Sequence, residues 1–140
     1  MGVRYDYFAA PSDEAAAKVI SSGPVGFRTV ETKWLDPVVV MGKLEELLTG
    51  RAYGDVVGDP RCGKDLAVEH GGELLVLTVT DGLRDGLAGA DLGDVAVRWA
   101  GIEELRGFEV EDLRGILDEL AALAAEAVER GERLYCWVCV

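Results

Sequence analysis

The stretch LYCWVCV, residues 134–140, places Cys136 and Cys139 in a C-x-x-C spacing. Three readings compete: a redox pair, half of a metal site, or a packed strand that contains sulfur. A redox C-x-x-C sets its first thiol at a helix N-terminus, where the helix dipole favours thiolate. This one follows a helical pattern instead of opening one. A zinc knuckle needs a tight turn between its two cysteines, and Trp137-Val138 are strand formers. Alternation decides the matter. In a strand, Leu134, Cys136 and Val138 face one way while Tyr135, Trp137 and Cys139 face the other. The two thiols then diverge, each acting as a small buried hydrophobe.

Working outward, residues Glu111 to Arg130 carry Leu113, Ile116, Leu117, Leu120, Leu123, Ala124, Ala127 and Val128 in one stripe of helical period. Acids crowd the early turns, Arg130 sits in the last, and Gly131 ends it. A long helix running into a terminal strand is therefore expected. A first strand is read at Val3–Phe8, with Val3, Tyr5 and Tyr7 on one face. "PSDEAAAKVISSGP" reads as a short helix capped by Ser12 and stopped at Gly23-Pro24. "GFRTVETKW" offers a second strand. "LDPVVVMGKLEELLTG" has Asp36 as N-cap, Pro37 at the first helical position and Gly50 past the end. Gly54 to Gly63 reads as a loop. "DLAVEHGGELLVLTVT" reads as a hairpin turning at His70-Gly71-Gly72, and two short helices are expected over Asp81–Ala90 and Leu92–Trp99. The fold class is α+β: a single domain over residues 1–140, with a mixed β-sheet packed with helices.

The chain has 140 residues, 49% of them hydrophobic and 29% charged, enough for one domain with its own core. Its net charge of −12 opposes nucleic acid and anionic membrane surfaces, since both demand clustered Lys and Arg. The partner such a surface suits is a basic protein. The opening MGVRYDYFAAPSDE has no uninterrupted apolar run, so no secretory leader is expected. No stretch reaches the ~18 apolar residues of a membrane-spanning helix. Three cysteines without a secretory context fit reduced thiols and a cytoplasmic location.

The candidate chemistry is sparse. Cys62, His70, Cys136 and Cys139 would complete a Cys₃His zinc set if the chain brought them together; the strand reading argues against it, and no metal or cofactor is expected. "GDPRCGKD", Gly58 to Asp65, approaches the P-loop pattern, but Asp65 replaces the magnesium-holding hydroxyl and the loop runs into a strand. A single histidine and capping serines give no nucleophile–base pair. Pairs such as Asp81/Asp85 and Glu103/Glu104 fit a solvated face. Trp99 lies in "VRWAGIEELRGF", where an aromatic stands beside Glu103 and Glu104. That mixture is either a partner-binding anchor with a polar rim or a core tryptophan under a loop.

In "KWLDPVVVMGKLEELLTG", "DPRCGKDL" and "LAALAAEAVERGERLYCWVCV" the chain resembles a group of small uncharacterised proteins of high-GC bacteria and, remotely, the YfbM-like family. The matching features are Leu47, Leu48, Thr49 and Gly50 at a helix end, and the long helix, glycine and apolar strand from Glu111 to Val140. The resemblance implies no catalytic residues. The functional expectation is a non-catalytic acidic binding protein, of the kind that serves as antagonist or immunity partner of a basic protein. The alternative is a small-molecule binder or carboxylate-dependent enzyme using Tyr5, Tyr7 and arginines in a pocket. A zinc or thiol-redox role ranks below both.

Overall fold

A computed structural model describes residues 2–89 and 91–140. Among these, five strands form one sheet in the order β2-β1-β5-β4-β3. They are β1 (Arg4–Ala10), β2 (Thr29–Lys33), β3 (Asp65–Glu69), β4 (Leu74–Thr78) and β5 (Arg133–Cys139). Every pairing among the described residues is antiparallel, which corrects the expected mixed sheet. The apolar "LLVLTV" run of β4 is a buried antiparallel strand, next to the centre instead of at it. Its neighbour β5 takes the middle, and both of its faces are covered.

Among the described residues six α-helices accompany this sheet: α1 (Asp13–Ala17), α2 (Val39–Thr49), α3 (Tyr53–Val57), which packs on α2, α4 (Asp81–Gly89), α5 (Val95–Ala100) and α6 (Val110–Arg130). Asp36 opens α2 as expected, its carboxylate accepting from the N–H groups of Val38, Val39 and Val40 at 3.0, 2.6 and 3.2 Å. Gly50 closes that helix in the left-handed conformation, and Gly131 does the same for α6. The expected loop over Gly54–Gly63 is helical in its first part, because α3 occupies Tyr53–Val57. Ala90, the last residue of the expected Asp81–Ala90 helix, lies outside the described residues. The helix expected from Leu92 begins only at Val95.

The two faces of the sheet are unequally covered. On one, Tyr7, Leu134, Cys136 and Val138 meet the apolar sides of α2, α4, α5 and α6 in the larger core. On the other, Phe8, Ala10, Val76, Tyr135 and Trp137 are covered only by α1 and the segment after it, through Val19, Ile20 and Phe27. A five-residue helix cannot span a five-stranded sheet. Each end of this thinly covered face is consequently left as a groove.

Candidate functional site

The first groove begins with strand register. Directly opposed residues in a sheet share a face, and Asp6 on β1 stands opposite both Glu31 on β2 and Trp137 on β5. The row Glu31–Asp6–Trp137 therefore lies on the thinly covered face. Above it the chain after α1 closes down on Trp137, whose indole Nε1 donates to the Ile20 carbonyl at 2.9 Å. Gly23 makes this fit with a φ of 78°, and a Cβ there would already touch the Trp137 ring at 3.5 Å. The open volume that remains is about 320 Å³, bounded by Arg4, Asp6, Ser22, Val25, Glu31 and Trp137 among others.

Asp6 is the unusual group. It is only 2% exposed, in a strand whose neighbours on the same face include Phe8. One oxygen, Oδ2, accepts from Arg4 Nη2 at 2.8 Å. The other, Oδ1, is buried with no hydrogen-bond donor among the described residues. Burial pushes the Asp6 carboxyl above the ordinary carboxylate range, and Arg4 offsets only part of that. Arg4 reaches Glu31 as well, again through Nη2, at 3.3 Å, and its guanidinium carbon stands 5.8 Å from the centre of the Trp137 ring.

The second groove, about 550 Å³, lies at the other end of the same face. Ser12, Asp13, Glu14, Arg84, Arg133 and Tyr135 contribute to its walls. Here the carboxylate is fully served. Ser12 caps α1 by accepting from the Ala15 N–H at 3.1 Å, which sets Asp13 at the helix start. Asp13 then receives a two-pronged contact from Arg61, at 3.1 and 3.2 Å, and the Tyr135 hydroxyl at 2.7 Å. These hydrogen bonds hold Asp13 below the usual carboxylate range, while burial and the Asp13 charge push Tyr135 up to about 12. Arg84 is bound to Asp85 and to the Glu132 carbonyl, both at 2.9 Å.

The residues singled out from sequence are dispersed. Cys136 is buried in the larger core and Cys139 packs against the smaller one, on the opposite face. Burial pushes the Cys136 thiol well above the ordinary cysteine range, away from thiolate chemistry. Cys62 lies in the turn leading to β3, and His70 is exposed in the β3–β4 turn with a φ of 54°. No group of three His, Cys, Asp or Glu among the described residues is placed to hold a metal ion. Trp99, a candidate partner anchor, is 0% exposed and donates its indole N–H to the Val40 carbonyl at 3.2 Å. That corrects the anchor reading: the ring joins α5 to α2 inside the core and presents nothing to a partner. Glu103 and Glu104 are exposed, with Glu104 paired to Lys43 at 2.7 Å. Tyr7 is likewise core, its hydroxyl donating to the Leu35 carbonyl, so the tyrosine that reaches a groove is Tyr135. The near P-loop is an anchoring turn. Its Arg61 N–H is taken by Asp59, and its Gly63 and Lys64 N–H groups by Thr78, leaving no cradle for phosphate.

Residues missed by the sequence reading are Arg4, Asp6 and Glu31 in one groove, Asp13 and Tyr135 in the other, and Arg61, which holds Asp13. A signal for Asp6 was present. It is an acid at the centre of the alternating run VRYDYF, on the parity opposite to the Tyr5/Tyr7 face and shared with Phe8. Compared with known protein families, curated proteins and solved structures, the chain matches none.

Proposed function

We propose that this chain is a cytoplasmic, non-catalytic binding protein whose partner is basic, and that the Asp6 groove is its docking point. The observation that carries the reading is Asp6 itself: a buried carboxylate with one oxygen lacking a donor, beside an open groove walled by Glu31 and Trp137. A buried acceptor without a donor costs about 1–3 kcal/mol. A cationic side chain entering the groove would relieve that cost as it binds. The net charge of −12 supports the reading by speeding encounter with a positively charged surface. The hydroxyl in the groove wall, Ser22, donates to the Gly23 carbonyl and to neither Asp6 nor Glu31, which favours binding over catalysis.

Affinity capture with the purified chain tests this, using wild type beside an Asp6→Asn/Glu31→Gln variant at low and high salt. The expected result is one or more basic proteins held by wild type, weakened by salt, and lost from the variant. Capture that ignores the two substitutions, or retains only acidic or neutral proteins, would overturn the assignment.

The second groove supports a second reading, a small-molecule site. Beside the Asp13 tie, Glu14, Arg84 and Arg133 line it, one acid and two cations that a zwitterion such as a free amino acid would match. A thermal-shift screen of amino acids against wild type and Arg133→Ala decides it: a ligand-dependent rise in Tm confined to wild type supports the site, and no rise with any amino acid removes it.

A further inference from the structure

We infer that the Asp6 groove is a seat for an arginine of the partner protein, and that Arg4 is a tethered occupant which this arginine displaces. The inference rests on the docking reading above and names the side chain that docks.

Arg4 already shows what the groove accepts: a guanidinium near the Trp137 ring with Asp6 and Glu31 beside it. Its fit is incomplete. Both carboxylates are served by the same nitrogen, Nη2, while Nε and Nη1 donate to nothing among the described residues. Asp6 Oδ1 is left without a donor. The cause is the tether, because Arg4 and Asp6 are two residues apart on one strand and their side chains rise from the same face. From that position Arg4 presents one corner of its fork. An arginine arriving from solvent is free of the constraint and can offer two parallel N–H groups to the two oxygens of Asp6. Its planar face can lie on Trp137, and a remaining N–H can reach Glu31.

Lysine is a poorer match. Its ammonium is a compact, strongly hydrated charge without the flat face that Trp137 would receive or the fork that suits a carboxylate. Arg4 itself is half exposed, so a swing outward breaks only its contacts with Asp6, Glu31 and the Trp137 ring and needs no rearrangement of the sheet. Vacating the seat also leaves Arg4 available to an acid on the partner.

The experiment uses N-acetyl-arginine amide, N-acetyl-lysine amide and N-acetyl-citrulline amide, titrated against the whole chain and followed by NMR at the Trp137 indole N–H. An arginine-containing basic peptide and its lysine counterpart form a parallel arm that separates free arginine from arginine within a polypeptide. Arg4→Ala empties the seat, and Arg4→Met keeps the stem while removing the fork, should the alanine variant fold poorly. The expected result is at least tenfold tighter arginine-amide binding to either variant than to wild type. Lysine amide should bind at least fivefold more weakly, citrulline amide should not bind, and Asp6→Asn in the Arg4→Met background should abolish binding. The arginine peptide should bind wild type more tightly than arginine amide does. Equal binding of arginine and lysine probes, no gain on emptying the seat, or a response unchanged by Asp6→Asn would each overturn the inference. A lysine-rich basic partner captured by wild type and lost from Asp6→Asn/Glu31→Gln would leave the docking reading standing while the arginine seat falls.

Discussion

Asp6 and Asp13 sit at opposite ends of one sheet face and have opposite electrostatics. Asp13 has three hydrogen bonds from two partners brought by distant parts of the chain, Arg61 and Tyr135. Asp6 is more deeply buried and has one, from a residue on its own strand. The first carboxyl is held below the ordinary range by its donors, the second raised above it by burial. A carboxylate with donors on both of its oxygens is a structural tie. One that is buried and under-served is a vacancy for a donor, and this contrast separates the tie from the site.

The largest break in the contrast comes from Arg61→Ala. It strips Asp13 and the Tyr135 ring of their cation and leaves a partly buried carboxylate, so a loss of about 2–3 kcal/mol is expected in urea unfolding. Arg4→Met takes from Asp6 its one donor among the described residues, and the buried carboxyl escapes that penalty only by taking up a proton. The loss should be about 1–2 kcal/mol at neutral pH and fade as pH falls toward the ordinary carboxylate value; a loss that does not change with pH would erase the distinction.

The pH dependence should run in opposite directions. Asp13 has a lowered pKa when folded, so the stability it contributes is present above the ordinary carboxylate pKa and disappears as pH falls through its folded value. Asp6 has a raised folded pKa. Its cost is absent below the ordinary carboxylate pKa, where both states are protonated, and appears as pH rises toward the folded value. Stability measured from pH 3 to 7 should show wild type gaining on Asp13→Asn with rising pH, and losing ground to Asp6→Asn over the same interval. Two slopes of the same sign would contradict the account.

Tyr135→Phe removes one of Asp13's hydrogen bonds and no apolar contact, so about 1 kcal/mol should be lost. The smallest expected effect is Asp6→Asn at neutral pH: a change within about 1 kcal/mol, in the stabilising direction, because relief of charge burial offsets the lost Arg4 pair. It should abolish partner binding all the same, as seen by titration with an arginine-containing basic peptide.

Much of the fold was legible because it is written in local signals. The stripe along α6, the glycines closing α2 and α6, the cap at Asp36 and the alternation in LYCWVCV each fix an element without reference to distant residues. The divergence of Cys136 and Cys139 followed from strand parity alone. The grooves were harder to see. Glu31, Asp6 and Trp137 form a row only once β1 is paired between β2 and β5, and the 131-residue separation of Asp6 from Trp137 leaves no trace in either segment. The Asp13 tie is equally non-local, joining α1, the turn before β3 and β5. Trp99 misled for a related reason: its polar neighbours in sequence lie around α5 and the following turn, while its ring points the other way into the core.

The most direct test is the titration of the Asp6 side-chain carboxyl by carbon-13 NMR, with and without an arginine-containing basic peptide. The account predicts a midpoint above the ordinary carboxylate value in the free chain, falling when the peptide binds. A midpoint at or below the ordinary value in the free chain, or one that the peptide leaves unmoved, would contradict it.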